Sequence, residues 1–365
     1  MVDNFTGAGA QNGVTNLAGA KVAISQINSS GGVLGCPLKL STSDDGSDYT
    51  KDLPLLEQAL VSHKYAMAWD GDFGCVTTAP LVTRLKALQI SGCSSTSFAT
   101  KANPTIFDVT PIAARSAMIA ARYELSKGIK RFALFVDNTA IGQGEDTAMT
   151  ALVKKAGGTV TDVEQLSLSG IDFSSAIQRA KASNPQVIFT DLFGAAGGHL
   201  HQDLATSGWK IPFIGGSNES ATALKGLVPL SDLNGGLEVG PATMASPSNA
   251  VRTSFISDLK AQGSPINTFL YGFANAHDPL ILFAWAANQT GSLNPQTIAT
   301  KLHNSGNVPV PNLVQGTTTG YTPTCGEWNP LGGFAVMKAG FYNQGRLPLI
   351  ATETSPPLPP VLQQC

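Results

Sequence analysis

Apolar residues along this chain follow two alternating periods. Over residues 14–28, Val14, Leu17, Ala18, Ala20, Ile24 and Ile27 fall near one helical stripe, which the small polar run 29–32 ends. Residues 38–43 read as a strand ending at Asp44 and Asp45. A helix over 51–63, a strand at 65–69, a helix over 78–88 and a strand at 88–90 follow. This order is βαβα wound around a parallel sheet. A second set of the same units begins near residue 115, with strands at 131–136, 159–166, 187–190 and 213–215 and helices over 145–156, 173–182 and 198–206. Between the sets, 103–111 is extended and carries Pro104 and Pro111, which disfavour helix around them. Stretches 235–243 and 314–323 have the same character and flank a helical region over 275–289. The chain is therefore expected to cross three times between two α/β lobes. The proline-rich stretch 355–360 is expected to be an extended strap or a disordered end.

Composition narrows the function. With 365 residues, 42% hydrophobic and 13% charged, the chain can bury a sizeable core divided between two domains. A net charge of -2 supplies no basic field for nucleic acid. No apolar run approaches the roughly 20 residues needed to cross a bilayer. Residues 1–6 read as the tail of a strand with no targeting segment before them, so a signal sequence and most of strand one are expected upstream. The alternative is a cytoplasmic protein with a very short first strand.

The candidate chemistry lies in two strand-to-helix turns, 71–78 and 91–97, rich in glycine and hydroxyls. Amides and hydroxyls converging at the carboxyl edge of a sheet suit a small polar ligand, although Thr77, Thr78 and 94–97 would also serve as plain helix caps. If the turns are neighbours, Cys75 and Cys93 come within the roughly 4.4–6.8 Å between α-carbons that a disulfide needs; buried free thiols are the alternative. Cys325 with Cys365 is a second candidate pair, and Cys36 stands apart. Residues 7–13 narrowly miss the dinucleotide fingerprint, with Asn12 where a glycine belongs. His199, His201 and Asp203 resemble a metal cluster, but helix positions two apart face different ways. No catalytic motif or cofactor site emerges, and the chain is expected not to be an enzyme.

Thr6, Gly7, Gly9, Asn12 and Gly13, the helix end at 27–35, Asp44 and Asp45, Pro80, and Asp137 with Gly142 and Gly144 together resemble the type I periplasmic solute-binding proteins of ABC transporters. The Leu/Ile/Val-binding and amide-binding group is the most similar. The resemblance implies two doubly wound parallel-sheet lobes joined by a three-strand hinge. Lobe 1 would hold 1–108 plus 244–315 and lobe 2 would hold 109–243 plus 316–365, with crossings near 107–111, 239–243 and 314–323. It implies capture of an amino acid, amide or carboxylate-bearing solute and delivery to a transporter permease, by a monomer outside the cytoplasm that meets the membrane only through the permease or an anchor not present here. A ligand-sensing domain of a regulator or receptor is the alternative.

Carried over by position, the resemblance implies that Cys75, Val76, Thr77, Ser94, Ser95 and Thr96 hold a carboxylate, with Ile141, Phe193 and Ser217 opposite. Asn12 and Ile141 stand where relatives place aromatic residues, and Trp69, Phe73, Phe193 and Tyr271 are candidate walls. Where relatives often place an acid to pair an ammonium, this chain has Ser217, with Asp191 and Glu219 as substitutes not matched by motif.

Overall fold

The computed structural model describes residues 1–363 except 8, 72–73, 218–227, 234, 246–248, 265, 267 and 331–332. Its first set of elements is β1 (Val2–Asp3), α1 (Ala10–Ser29), β2 (Ser43–Asp44), α2 (Asp52–Glu57), α3 (Cys75–Leu85), β3 (Gln89–Ser91) and β4 (Ile106–Asp108). β1 pairs in parallel with β2, Val2 bridges Asp70, Ala68 bridges Gln89, and β3 pairs in parallel with β4. The sheet thus runs β2, β1, residues 68–70, β3, β4. Of the expected strand at 38–43 only Ser43 enters it, joined by Asp44, and of the strand expected at 65–69 only Ala68 bridges, joined by Asp70. The helix expected from 78 starts at Cys75, which puts residues 75–77 inside its first turn.

The second set is α4 (Ala113–Ser126), β5 (Arg131–Asp137), α5 (Ala140–Lys155), β6 (Thr159–Leu166), α6 (Ser174–Ala182), β7 (Val187–Asp191), α7 (Ala195–Thr206), β8 (Phe213–Gly215) and β9 (Leu237–Pro241). The chain continues through α8 (Ala250–Ala261), α9 (Leu270–Thr290) and α10 (Pro295–His303) to β10 (Phe334–Lys338) and β11 (Leu349–Glu353). The second sheet has the order β6-β5-β7-β8-β9-β10-β11. It is parallel through β9, and β10 and β11 close it as an antiparallel edge. β5 and β7 are buried almost throughout, as strands covered on both faces must be.

Helix α9 shows how distant sequence completes the first half. It is apolar almost all round and buried along most of its length, the pattern of a core helix. It crosses α1 so closely that a Cβ on Gly19 would lie 1.8 Å from the Phe273 carbonyl oxygen, so only glycine fits there. Pro279 inside the helix has no N–H to give the carbonyl four residues earlier, that of Asn275. The Trp69 indole donates to that oxygen instead, at 3.0 Å. The helix break is thereby satisfied by the first sheet.

The segments between the sheets are laced together. Gln315 Nε2 donates to the Val109 carbonyl at 2.8 Å, and Thr243 Oγ1 donates to the Gln315 carbonyl at 3.4 Å. After this point the chain does not pass directly to the second sheet. Tyr321 and Trp328, expected above with lobe 2, pack beside Phe107, Val109 and Leu302 in the first core, because burying those rings completes the face of β4. The chain enters the second sheet only at β10. The tail is a strap: Arg115 Nη1 donates to the Pro356 carbonyl at 2.6 Å, and Leu358 is buried against Ile112, Met118 and Ala148. Among the described residues, no helix is long and apolar enough to cross a membrane.

Candidate functional site

A cleft lies where the carboxyl ends of the two sheets face one another, the position at which open α/β sheets take ligands. The room inside it is about 100 Å³, a small, partly closed site rather than one of the roughly 300–1,000 Å³ that drug-sized ligands occupy. One wall comes from Asn12, Thr15 and Asn16 of α1, from Gly92, Cys93 and Ser94 after β3, and from Thr110 and the start of α4. The facing wall comes from Asp137 at the end of β5, Ile141 and Glu145 of α5, Asp191 and Phe193 after β7, and Ser217 after β8. Phe269, Tyr271 and Asn275 at the start of α9 close the base.

Of the residues singled out from sequence, Asn12, Ser94, Ile141, Phe193, Ser217 and Tyr271 share this lining. Ser217 Oγ and Tyr271 Oη lie 3.0 Å apart and join the walls, and Tyr271 stacks on Phe269 with ring centres 4.5 Å apart. Cys75, Val76, Thr77, Ser95 and Thr96 lie outside the lining, for local reasons. The Cys75 sulfur is bonded to Cys93, with α-carbons 6.0 Å apart, and is fully buried. Val76 packs toward the core around Leu56 and Phe98. Thr77 Oγ1 donates back to the Gly74 carbonyl at 2.7 Å. Ser95 and Thr96 face a small separate hollow shared with Asp108, Glu327 and Leu362. Trp69 is committed to α9. Phe73, Glu219 and Cys365 lie outside the described residues. His201 packs on Phe213 with ring centres 4.9 Å apart, and His199 pairs with Gln202, so α7 does not join the two imidazoles.

The second turn is not an open amide cradle. Cys93 and Ser94 each donate a backbone N–H to Asp108, to Oδ1 and Oδ2, both at 3.1 Å. Thr110 donates its N–H and its hydroxyl to Oδ1 at 2.9 and 2.7 Å. This anchor holds Ser94 in the left-handed region, φ 58°, where a non-glycine residue needs support from its surroundings. Burial pushes the Asp108 carboxyl up to about 7, with Glu327 nearby acting the same way and the Thr110 and Cys93 hydrogen bonds opposing. A buried carboxyl also lies against the first turn. A Cβ on Gly74, beside the amino end of α3, would lie 1.6 Å from Oδ2 of the buried Asp52.

The sequence reading missed the carboxylates on the second wall apart from Asp191. Asp137 Oδ1 accepts from the Thr139 N–H at 2.8 Å and from its hydroxyl, which fixes the start of α5. A Cβ on Gly142 would lie 2.1 Å from the Asp137 carbonyl oxygen, so glycine is required beside it. The available signal was an acid at the end of each of two buried strands, Asp137 and Asp191.

Comparison with known proteins agrees with this geometry. The periplasmic binding protein family matches residues 1–322. Leu/Ile/Val-binding protein homolog 1 of Brucella suis is 26% identical over 312 residues, 82% of this chain and 80% of the relative. A Rhodopseudomonas palustris ABC transporter solute-binding protein in complex with 4-hydroxybenzoate superposes with TM-score 0.83 at 19% identity, covering 98% of this chain and 96% of that one. A Thermus thermophilus branched-chain amino acid ABC transporter protein with bound valine gives TM-score 0.79 at 15% identity, covering 97% and 95%. The two facing sheets thus form the type I periplasmic binding protein fold, and the chain belongs to the periplasmic binding protein family, as a binding protein rather than an enzyme.

Proposed function

We propose that this protein captures a small polar or amphipathic organic solute, of amino acid, amide or aromatic acid size, in the cleft and delivers it to the permease of an ABC transporter. The observation that carries the reading is that both walls contribute polar groups to one cavity, so a ligand touching both favours the closed arrangement. The lobes are residues 1–109 with 244–328, and 110–243 with 333–363. The laced segments at Val109, Thr243 and Gln315 act as the hinge. The protein works outside the cytoplasm as a monomer and meets the membrane through the permease.

Calorimetry and small-angle X-ray scattering across a solute panel test this. The expected result is stoichiometric binding with a smaller radius of gyration. Turnover of the ligand, or tight binding without compaction, refutes it.

A further inference from the structure

The second of the two turns that read as cradles for a ligand's anion already holds an anion of the protein itself. Behind Gly92, Cys93 and Ser94, the Asp108 carboxylate takes the amides of Cys93 and Ser94. At the amino end of α3, Asp52 is seated against Gly74. The amides of Cys93 and Ser94, which would draw a carboxylate toward the first wall, are therefore occupied from behind. The facing wall adds Asp137, Glu145 and Asp191, and no described lining residue is Lys, Arg or His.

One acceptor at the base of the cleft faces the opposite demand. Asn275 Oδ1 is buried without a hydrogen-bond partner, and its side chain packs on Gly92, where a Cβ would lie 3.2 Å from Asn275 Cγ. A buried acceptor of this kind calls for an N–H donor. Beside it, the stacked Phe269 and Tyr271 and the side chain of Phe193 supply room for a flat or branched apolar body.

Resting on the solute-capture reading above, we propose that the ligand bears a nitrogen head group that donates hydrogen bonds and carries no negative charge. A carboxamide or protonated amine on an apolar body fits, and the matching carboxylate is excluded. Asp108 is the positioning residue that sets this selectivity, because it fixes the Ser94 turn and places negative charge behind it.

The test is titration calorimetry on the whole chain at pH 8 with two matched sets: benzamide, benzylamine and benzoate; leucinamide, 3-methylbutylamine and leucine. The amide or amine is expected to bind at least tenfold tighter than the carboxylate of its set. A carboxylate that binds equally or more tightly overturns the proposal. Native mass spectrometry after incubation with a cell extract gives an independent readout. A captured solute bearing an N–H donor and no free carboxylate supports the assignment; any other captured solute overturns the assignment while leaving solute capture standing. Capture of nothing in either experiment overturns solute capture, and the head-group assignment falls with it. In a folded Asp108→Asn variant the carboxylate-to-amide affinity ratio is expected to rise at least fivefold, and an unchanged ratio removes Asp108 from the account.

Discussion

Removing the Cys75–Cys93 bridge by the double substitution Cys75→Ala, Cys93→Ala tests how the first wall of the cleft is held. The cysteines are 18 positions apart. In the chain-entropy picture, opening a loop of that length returns about 3 kcal/mol of freedom to the unfolded chain. Both residues are buried in a core with Leu56, Phe98 and Ile106, so alanine avoids placing an unpaired hydroxyl there. For a unit of roughly 150–250 residues, each kcal/mol moves the midpoint by about 2–4 °C, which gives a fall of about 6–12 °C. Calorimetry and urea unfolding, both without reductant, measure the loss. Since Asp108 tethers the Ser94 turn independently, ligand affinity is expected to fall by less than tenfold. A stability loss under about 1 kcal/mol would refute the reasoning, because the cross-link would then constrain little in the unfolded chain.

Three further outcomes follow from named contacts. Arg115→Ala leaves Glu327, 2.5 Å from Nε, and the Pro356 carbonyl without their buried cation; the expected loss is about 3–5 kcal/mol by urea unfolding, and a loss below 1 kcal/mol contradicts it. The raised Asp108 pKa means that the folded protein holds a proton the unfolded chain has released. That contribution is complete below about pH 4 and fades as pH rises through about 7. Asp108→Asn should remove this slope, so the stability difference between wild type and variant should change between pH 4.5 and pH 8, and a constant difference counts against it. Ser95→Ala with Thr96→Ala should leave ligand affinity within twofold by calorimetry, since neither residue lines the cleft; a tenfold loss would return them to the site.

Much of the winding was legible because both sheets are built from buried strands alternating with amphipathic helices, and the disulfide followed once the two turns were set side by side. The turns' contents were not legible. Asp108 and Asp52 reach the amides of Cys93 and the backbone beside Gly74 from well outside those turns, and no local period encodes a partner at that distance. Of the predicted turn residues the cleft lining consequently keeps Ser94, leaves out Ser95, Thr96 and Cys75, and adds Gly92, Cys93 and Thr110. The start of α3 was placed late because a hydroxyl-rich first turn reads equally as a loop or a cap. The late β10 and β11 were missed because Pro330, Pro348 and the proline-rich tail around them dominate the local signal.

The close seat of Gly19 on α9 also dictates when this protein can fold. Helix α9 emerges from the ribosome roughly 240 residues after α1 ends, which at about 5–20 residues per second is a delay of some 12–50 s. The strands from β5 to β9 lie contiguously between them and can pair while that wait continues. The amino-terminal part, without its packing helix, stays open until synthesis is nearly finished. The half carrying the Ser94 turn therefore cannot close before α9 is made, and β10 and β11 complete the second sheet later still.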